Sequence, residues 1–346
     1  MAARWGGAPA LLVLGLVGCG EAVAEAPRRT ELSFLAVGDT GKPRELLDAF
    51  DPSLAVAAAL AAEDERSPVD ALVLLGDNFY PDGLDADEVK ERLRENVVGP
   101  FCRFVELTAR GAGSLREACP ESVALHPIPI FAVLGNHDYG EPESPDLQRR
   151  LVPEYVASWQ MPAGEVEVRE LAGGVSLILL DTNRVARRGG NDDDVVRALA
   201  RSRGPWRVIA GHHPMADAGG GYDPRFERRI ARLLERAGVP IHIWLAGHEH
   251  NLQAFVAEAG SPALQLVAGG GSDVRELAEG GPSRRFGSAS LGFARVDALG
   301  GKEPRLVASL FEVPAPPLPP RPRLAARFEI SRAGAVRVVP TGPAGA

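Results

Sequence analysis

The sequence predicts an α/β protein with a ligand crevice at the carboxyl ends of its strands. Five apolar runs carry this reading: LSFLAVGDTG, ALVLLGDNFY, IPIFAVLGNHDYG, WRVIAGHHP and IWLAGHEHN. Each is a strand-like stretch closed by a glycine and then by a residue type that binds metals. Short apolar runs with turn signals after them suit strands buried on both faces. In an open α/β sheet such strands present their carboxyl-end loops to a common crevice. The glycine lets each backbone turn sharply without a Cβ clash. The polar residues so gathered are Asp39, Asp77, Tyr80, Asn136, His137, Asp138, His212, His213, His248 and His250. Five of the seven histidines sit in three of these motifs, and two metal ions are the simplest reason to collect so many oxygen and imidazole donors. One such motif alone reads as a helix cap or a satisfied polar residue, so the metal reading rests on all five together.

The remaining elements follow in strand–helix–strand order. Residues 44–62 are Ala/Leu-rich and predicted helical, and 85–96 (DADEVKERLREN) has helical charge spacing. Residues 140–145 read as a loop and 146–159 as carrying a short helix. Residues 175–180 (VSLILL) read as a strand ending at Asp181, Thr182 and Asn183, with surface helices over 192–202 and 225–237. A strand over 263–268 runs into Gly269–Gly270–Gly271–Ser272, and 291–296 and 306–313 read as late strands. PAPPLPPRP, 314–322, is a stiff extended connector, and 324–339 is expected to add a last edge strand. Arg184, Arg187 and Arg188 form a small basic loop that reads as solvated surface rather than a phosphate clamp.

Length and composition agree with one large domain. The chain has 346 residues, 45% hydrophobic and 24% charged, ordinary for a globular protein. Its net charge of −8 gives no overall basic field for nucleic acid, so no nucleic-acid partner is expected. Any positive field for an anionic substrate must be local, and metals would supply it.

The amino terminus is expected to lie outside the fold. APALLVLGLV, residues 8–17, has the length of a signal h-region and is too short to span a bilayer. The following Leu16-Val17-Gly18-Cys19 resembles a bacterial lipoprotein signal, with 1–18 removed and lipid on Cys19. An ordinary secretory signal is the alternative. Residues 19–30 then read as a tether. Export across the inner membrane is implied, and Gly20 in place of Asp favours the outer membrane over retention at the inner one. If Cys19 carries lipid, Cys102 and Cys119 remain as a pair, either bridged or left as two thiols.

The motif set GDTG, GDNFY, GNHD, GHHP and GHEHN resembles the calcineurin-like metallophosphoesterases, over about residues 31–313. Within them it is most similar to the purple acid phosphatases, particularly the small tartrate-resistant type. Most members carry a histidine two residues after the first aspartate; here that position is Gly41, and a tyrosine stands in the second motif at Tyr80. The resemblance implies a four-layer α/β/β/α sandwich with a dinuclear site. It places Asp39, Tyr80, His250 and bridging Asp77 on Fe(III), and Asp77, Asn136, His212 and His248 on divalent Fe, Zn or Mn. A free phenol has a pKa of about 10, so a strongly Lewis-acidic cation is needed to make Tyr80 a phenolate ligand. The implied activity is hydrolysis of phosphate monoesters by in-line attack of a metal-bound hydroxide, in a monomer. His137 would bind phosphate or protonate the leaving group. His213 replaces a usually aromatic residue, and a further family histidine has no match in MADAGGGYD, which leaves His213 and Asp217 as candidate acids. The alternatives are another metallophosphoesterase, such as a diesterase or nucleotidase, and a surface protein that keeps the fold without turnover.

Overall fold

The structure is a computed structural model that describes residues 29–42, 51–186, 190–216, 223–257, 262–279, 281 and 283–341. The expected signal, Cys19, most of the tether, the start of the 44–62 helix, Arg187, Arg188 and Asp217 lie outside the described residues.

The first half of the chain runs β1 (Thr30–Val37), α1 (Pro52–Arg66), β2 (Ala71–Leu74), α2 (Val89–Leu93), α3 (Ala109–Leu115), β3 (Ile130–Ala132), α4 (Ser144–Arg150) and β4 (Trp159–Gln160). Next come β5 (Val166–Leu171), β6 (Val175–Leu180), α5 (Thr182–Ala186), α6 (Asp192–Arg201), β7 (Trp206–Ala210) and α7 (Pro224–Ala237). The last part is all strand: β8 (Ile243–Ala246), β9 (Leu252–Val256), β10 (Leu264–Ala268), β11 (Arg284–Ser288), β12 (Leu291–Leu299), β13 (Arg305–Val313), β14 (Arg323–Ser331) and β15 (Val336–Val339).

These strands form two sheets, in the orders β15-β14-β13-β12-β1-β2-β3-β4 and β11-β9-β10-β8-β7-β6-β5. Strands β1 to β4 are mutually parallel, as are β6, β7, β8 and β10. Side chains alternate across a strand, and here both faces are apolar. In β1, Phe34 and Ala36 point between the sheets, where they join Val73, Phe131, Leu177, Val208, Leu245 and Leu266. Leu35 and Val37 point outward to Val56 and Leu60 of α1. On the other sheet, Ile178, Ile209 and Trp244 face Leu199 of α6 and Phe226, Ile230 and Leu233 of α7. Three apolar cores therefore separate four layers, helix, sheet, sheet and helix. That is why the motif strands read as continuous apolar runs rather than as alternating ones.

The long helices have local stop and start signals. Asp51 caps α1 by accepting from the Ser53 amide, with Pro52 in the first turn. Asp223 caps α7 in the same way, ahead of Pro224, and Gly238 ends it at a φ of 66°. The expected helix at 85–96 starts later, at Val89, and continues as a π-helical turn over Arg94–Val98. The expected single edge strand at 324–339 is a hairpin, β14 and β15, that extends the first sheet.

Cys102 and Cys119 lie at disulfide distance, with Cα atoms 5.3 Å apart and α3 between them in sequence. Phe101, Phe104 and Leu115 anchor the same segment in the outer core. A bridge closing a loop of this size stabilises by about 3 kcal/mol in the chain-entropy model. Reductant, or the double variant Cys102→Ser/Cys119→Ser, should lower the urea midpoint accordingly. A midpoint that moves with neither would show two unpaired thiols.

Candidate metal centre

The loops after the parallel strands meet at the carboxyl end of the sandwich. Asp39, Asp77 and His248 occupy left-handed backbone, at φ 61°, 55° and 70°, and are the non-glycine residues with positive φ among the described residues. Such conformations cost about 1–3 kcal/mol each and persist where the surroundings over-determine them. Here the loops are tied backbone to backbone. The Asp39 amide donates to the Gly76 carbonyl at 3.0 Å, Gly41 to Asp77 at 3.1 Å, Tyr80 to Gly41 at 2.8 Å and Gly247 to His212 at 3.0 Å.

Two groups of donor atoms converge. In the first, the Tyr80 hydroxyl lies 3.0 Å from Asp39 Oδ1, 2.8 Å from Asp77 Oδ2 and 3.1 Å from His250 Nε2. In the second, Asn136 Oδ1 lies 3.0 Å from His212 Nε2 and 2.9 Å from His248 Nδ1, and His212 Nε2 lies 3.4 Å from Asp77 Oδ2. Asp77 Oδ2 belongs to both. All seven sequence-selected ligand candidates are brought together in these two groups.

Four of the donors have their other polar atom committed to the protein. Asp39 Oδ2 accepts from the His248 amide at 2.8 Å, and Asp77 Oδ1 from the His137 amide at 2.9 Å. His212 Nδ1 donates to the Leu75 carbonyl at 2.8 Å. His250 Nδ1 donates to Asp273 Oδ2 at 3.4 Å, and Lys42 Nζ grips the same oxygen at 2.6 Å. Such outer partners set the tautomer and orientation of metal-binding imidazoles. They leave His212 Nε2 and His250 Nε2 facing the carboxylate, amide and phenol oxygens.

This donor set fits hard or borderline cations. Its lone pairs outnumber its protons, so without a cation the site holds a proton in its place. Burial disfavours the charged form of His212, yet the Asp77 carboxylate overrides it and pushes His212 up to about 9. Burial would raise Asp77, but His212 pulls it well below the usual carboxylate range. Burial and then His212 hold His248 down at about 4, so this imidazole is neutral and ready to ligate at neutral pH. Burial and the Asp39 and Asp77 carboxylates push the Tyr80 phenol far up. A bound cation inverts that sign, because it is the largest local charge.

Gly41 has a second reason to be glycine. A Cβ there would lie 2.2 Å from the Asn78 carbonyl carbon and 2.4 Å from the Phe79 amide nitrogen. A histidine at 41 would displace the loop that carries Tyr80, so the two ligand arrangements exclude one another on this backbone.

His137 and His213 flank the two donor groups. The His137 ring sits against Tyr80, centroids 4.3 Å apart, with Nδ1 donating to the Pro81 carbonyl at 2.6 Å. The His213 ring lies 4.8 Å from His248. The Thr182 hydroxyl accepts from the His212 and His213 amides at 3.2 and 3.1 Å, so its own proton goes to His213 Nδ1 at 2.8 Å. This holds His213 as the tautomer with a proton on Nε2.

Sequence reasoning counted Asp138 among the converging strand-end polar residues without placing it in either ligand set, and gave no role to Asp273, Lys42 or Thr182. Asp138 is fully buried, and burial and then Asp77 push it up to about 7. It accepts from the amides of Asn78 at 3.0 Å, Phe79 at 3.1 Å and Gly135 at 2.8 Å, and from Gln148 Nε2 at 2.9 Å. It thus ties the Asp77 loop to the Asn136 loop. The available signal was its invitation to cap: an aspartate three residues after a strand-end glycine. Asp138→Asn would turn an NH₂ toward those donors and should cost about 3 kcal/mol, since a buried donor left unsatisfied costs about 1–3 kcal/mol. The urea midpoint and metal content should fall together; a variant with wild-type midpoint and full metal would remove this role.

Comparison with known proteins agrees with this geometry. Residues 32–252 match the family model of the calcineurin-like phosphoesterases. The chain is 26% identical over 264 residues to purple acid phosphatase 17 of Arabidopsis thaliana, covering 70% of this chain and 68% of the relative. It is 26% identical over 341 residues to tartrate-resistant acid phosphatase type 5 of Rattus norvegicus, covering 86% and 93%. The purple acid phosphatase PPD1 of yellow lupin shares the fold, with a TM-score of 0.61 at 15% identity over 92% of this chain and 57% of that one. All seven converging donors lie within the matched residues, and the chain belongs to the calcineurin-like phosphoesterase family.

Proposed function

We propose that this protein is a dinuclear-metal phosphate monoester hydrolase of the purple acid phosphatase kind. The observation that carries the reading is Asp77 Oδ2 at the junction of two donor groups, one of which contains Tyr80. Asp39, Tyr80, His250 and Asp77 would hold Fe(III), to which a phenolate is a well-matched hard ligand. Asp77, Asn136, His212 and His248 would hold the divalent ion, Fe, Zn or Mn. When bound, the metal pair would neutralise the phosphate oxygens and lower the pKa of an attacking water.

The chain's own residues then divide the remaining work. His137 keeps its Nδ1–H bond to the Pro81 carbonyl whether neutral or cationic. It can therefore carry the proton that the leaving alkoxide needs, through Nε2. His213 Nδ1 accepts a hydrogen bond from the Thr182 hydroxyl, an arrangement that the imidazolium would lose. Its role is to donate a hydrogen bond from Nε2 to a phosphate oxygen. The other polar atoms of Asp39, Asp77, His212 and His250 bond the protein and keep the ligands in place through turnover.

The export reading belongs to the same proposal. A lipid on Cys19 would tether the catalytic domain at a membrane surface, and an oxidising compartment suits the Cys102–Cys119 pair. No helix among the described residues is long and apolar enough to cross a membrane.

Aerobically purified protein should contain about two metals per chain, at least one of them iron, and should be violet from phenolate-to-Fe(III) charge transfer. Tyr80→Phe should abolish the visible band. A colourless, fully active zinc protein would overturn the iron assignment.

Hydrolysis of p-nitrophenyl phosphate should be fastest below neutrality, because the departing group is assisted by a protonated histidine. His137→Ala should lower kcat by about 10²–10⁴-fold, the range for a lost general acid. His213→Ala should act mainly on KM. An alkaline optimum with preference for diesters would place the protein among other metallophosphoesterases.

A further inference from the structure

Helix α7 carries five arginines that the metal centre does not use. PRFERRIARLLERA sets Arg225, Arg229, Arg232 and Arg236 along one face, with Arg228 beside them. They line a groove of about 920 Å³ whose opposite wall is α5 and the start of α6. Arg229 crosses it to the Val185 carbonyl and to Asp192, and Arg236 pairs with Asp193. The side chains of Arg225, Arg228 and Arg232 are exposed and make no hydrogen bond or ion pair among the described residues. Arg225 and Arg229, Arg228 and Arg232, and Arg232 and Arg236 are each four apart, a spacing at which like charges destabilise a helix. In a chain of net charge −8, five arginines line this groove against two carboxylates, Asp192 and Asp223, and three of the five guanidinium groups are left unpaired among the described residues.

The groove adjoins the metal centre through one of its lining residues, Phe226. Helix α5 begins at Thr182, which holds the His212 and His213 amides. Phe226, in the first turn of α7, packs on the His213 ring with centroids 5.8 Å apart, and His213 in turn lies against His248. From Arg225 to Arg236 the helix advances about 16 Å at 1.5 Å per residue. The arginine row therefore leads outward from the rim of the site. Guanidinium groups match phosphate oxygens with paired, charge-assisted hydrogen bonds. Among the described lining residues, Val185, Phe226 and Leu233 are buried, and none offers an exposed aromatic ring on which a base could stack.

We propose that this groove binds the additional phosphates of a small polyphosphorylated substrate, one phosphate of which sits at the metal centre. The substrate class rests on the phosphatase reading; the anion site itself does not. The groove arginines are specificity-determining residues that act on affinity for multiply phosphorylated molecules.

The test is calorimetric titration of the purified holoprotein with probes that it cannot hydrolyse. Methylphosphonate represents one phosphate, bis-methylene triphosphonate a linear chain and myo-inositol hexasulfate a ring bearing several anionic groups. At least one of the two multivalent probes should bind about tenfold or more tightly than methylphosphonate, the factor given by about 1.4 kcal/mol. The one that does so identifies the source, chain or ring. The triple variant Arg225→Gln/Arg228→Gln/Arg232→Gln should erase the difference. A control variant, Arg116→Gln/Arg150→Gln/Arg321→Gln, removes the same charge elsewhere and should keep it. The proposal is overturned if the wild type shows no preference, if the triple variant retains it, or if the control loses as much. Failure to hydrolyse p-nitrophenyl phosphate with both metals present would instead overturn the phosphatase reading and leave the titration result standing.

Discussion

The placement of the Asp77 carboxylate is the constraint on which the rest of the site depends. One oxygen is fixed by the His137 amide and the other stands where the Tyr80 and His212 donor groups meet. This requires a left-handed backbone at Asp77 and a second loop pressed against it. A Cβ on Gly135 would lie 2.1 Å from Asp77 Oδ1, so the Asn136 loop can approach only through a glycine. Moving either loop would separate the two donor groups, because no other atom belongs to both.

The surroundings of this carboxylate are arranged against electrostatic cost. Asp39, Asp77 and Asp138 are all buried, yet they are not neutralised in the same way. Asp138 is satisfied by backbone and amide N–H groups and holds the loops together. Asp39 and Asp77 each give one oxygen to a backbone amide and keep one turned inward. Buried charge without a partner is expensive, and imidazoles and a phenol facing those oxygens add further lone pairs. A proton on His212 relieves part of this cost, and a cation pair relieves it more fully. The same logic makes Gly41 and Tyr80 one decision. The glycine admits the Asn78–Phe79 backbone, and that backbone carries the phenol to Asp39 and His250.

The sandwich supplies the rigidity that such a site needs. Parallel strands with both faces packed deliver the loops to one edge, and capped helices close the outer layers. The core between the second sheet and α7 does more than fill space near the site. Phe226 in the first turn of α7 supports the His213 ring, and the same helix presents its arginines on the neighbouring face. Packing is thus written on one face of this helix, and the proposed ligand selectivity on the face beside it.

The strand-end motifs determined most of this protein by themselves. Doubly buried strands, the glycines at their ends and the seven donors were legible because each is a local pattern of a few residues, and their split into two sets followed from resemblance. Other features left no such pattern. Strands β5, β9 and β11 are short, and β5 reads as charged as it does apolar, so their pairing with neighbours rather than their composition makes them strands. The hairpin of β14 and β15 depends on the free edge of β13, a property of the sheet. The tertiary structure alone decided which oxygen of Asp77 faces both groups, that Asp138 joins two loops, that Asp273 and Lys42 hold His250, and that Thr182 orients His213. Each of these is a contact between residues far apart in the chain, and sequence periodicity carries no information about distances across a fold.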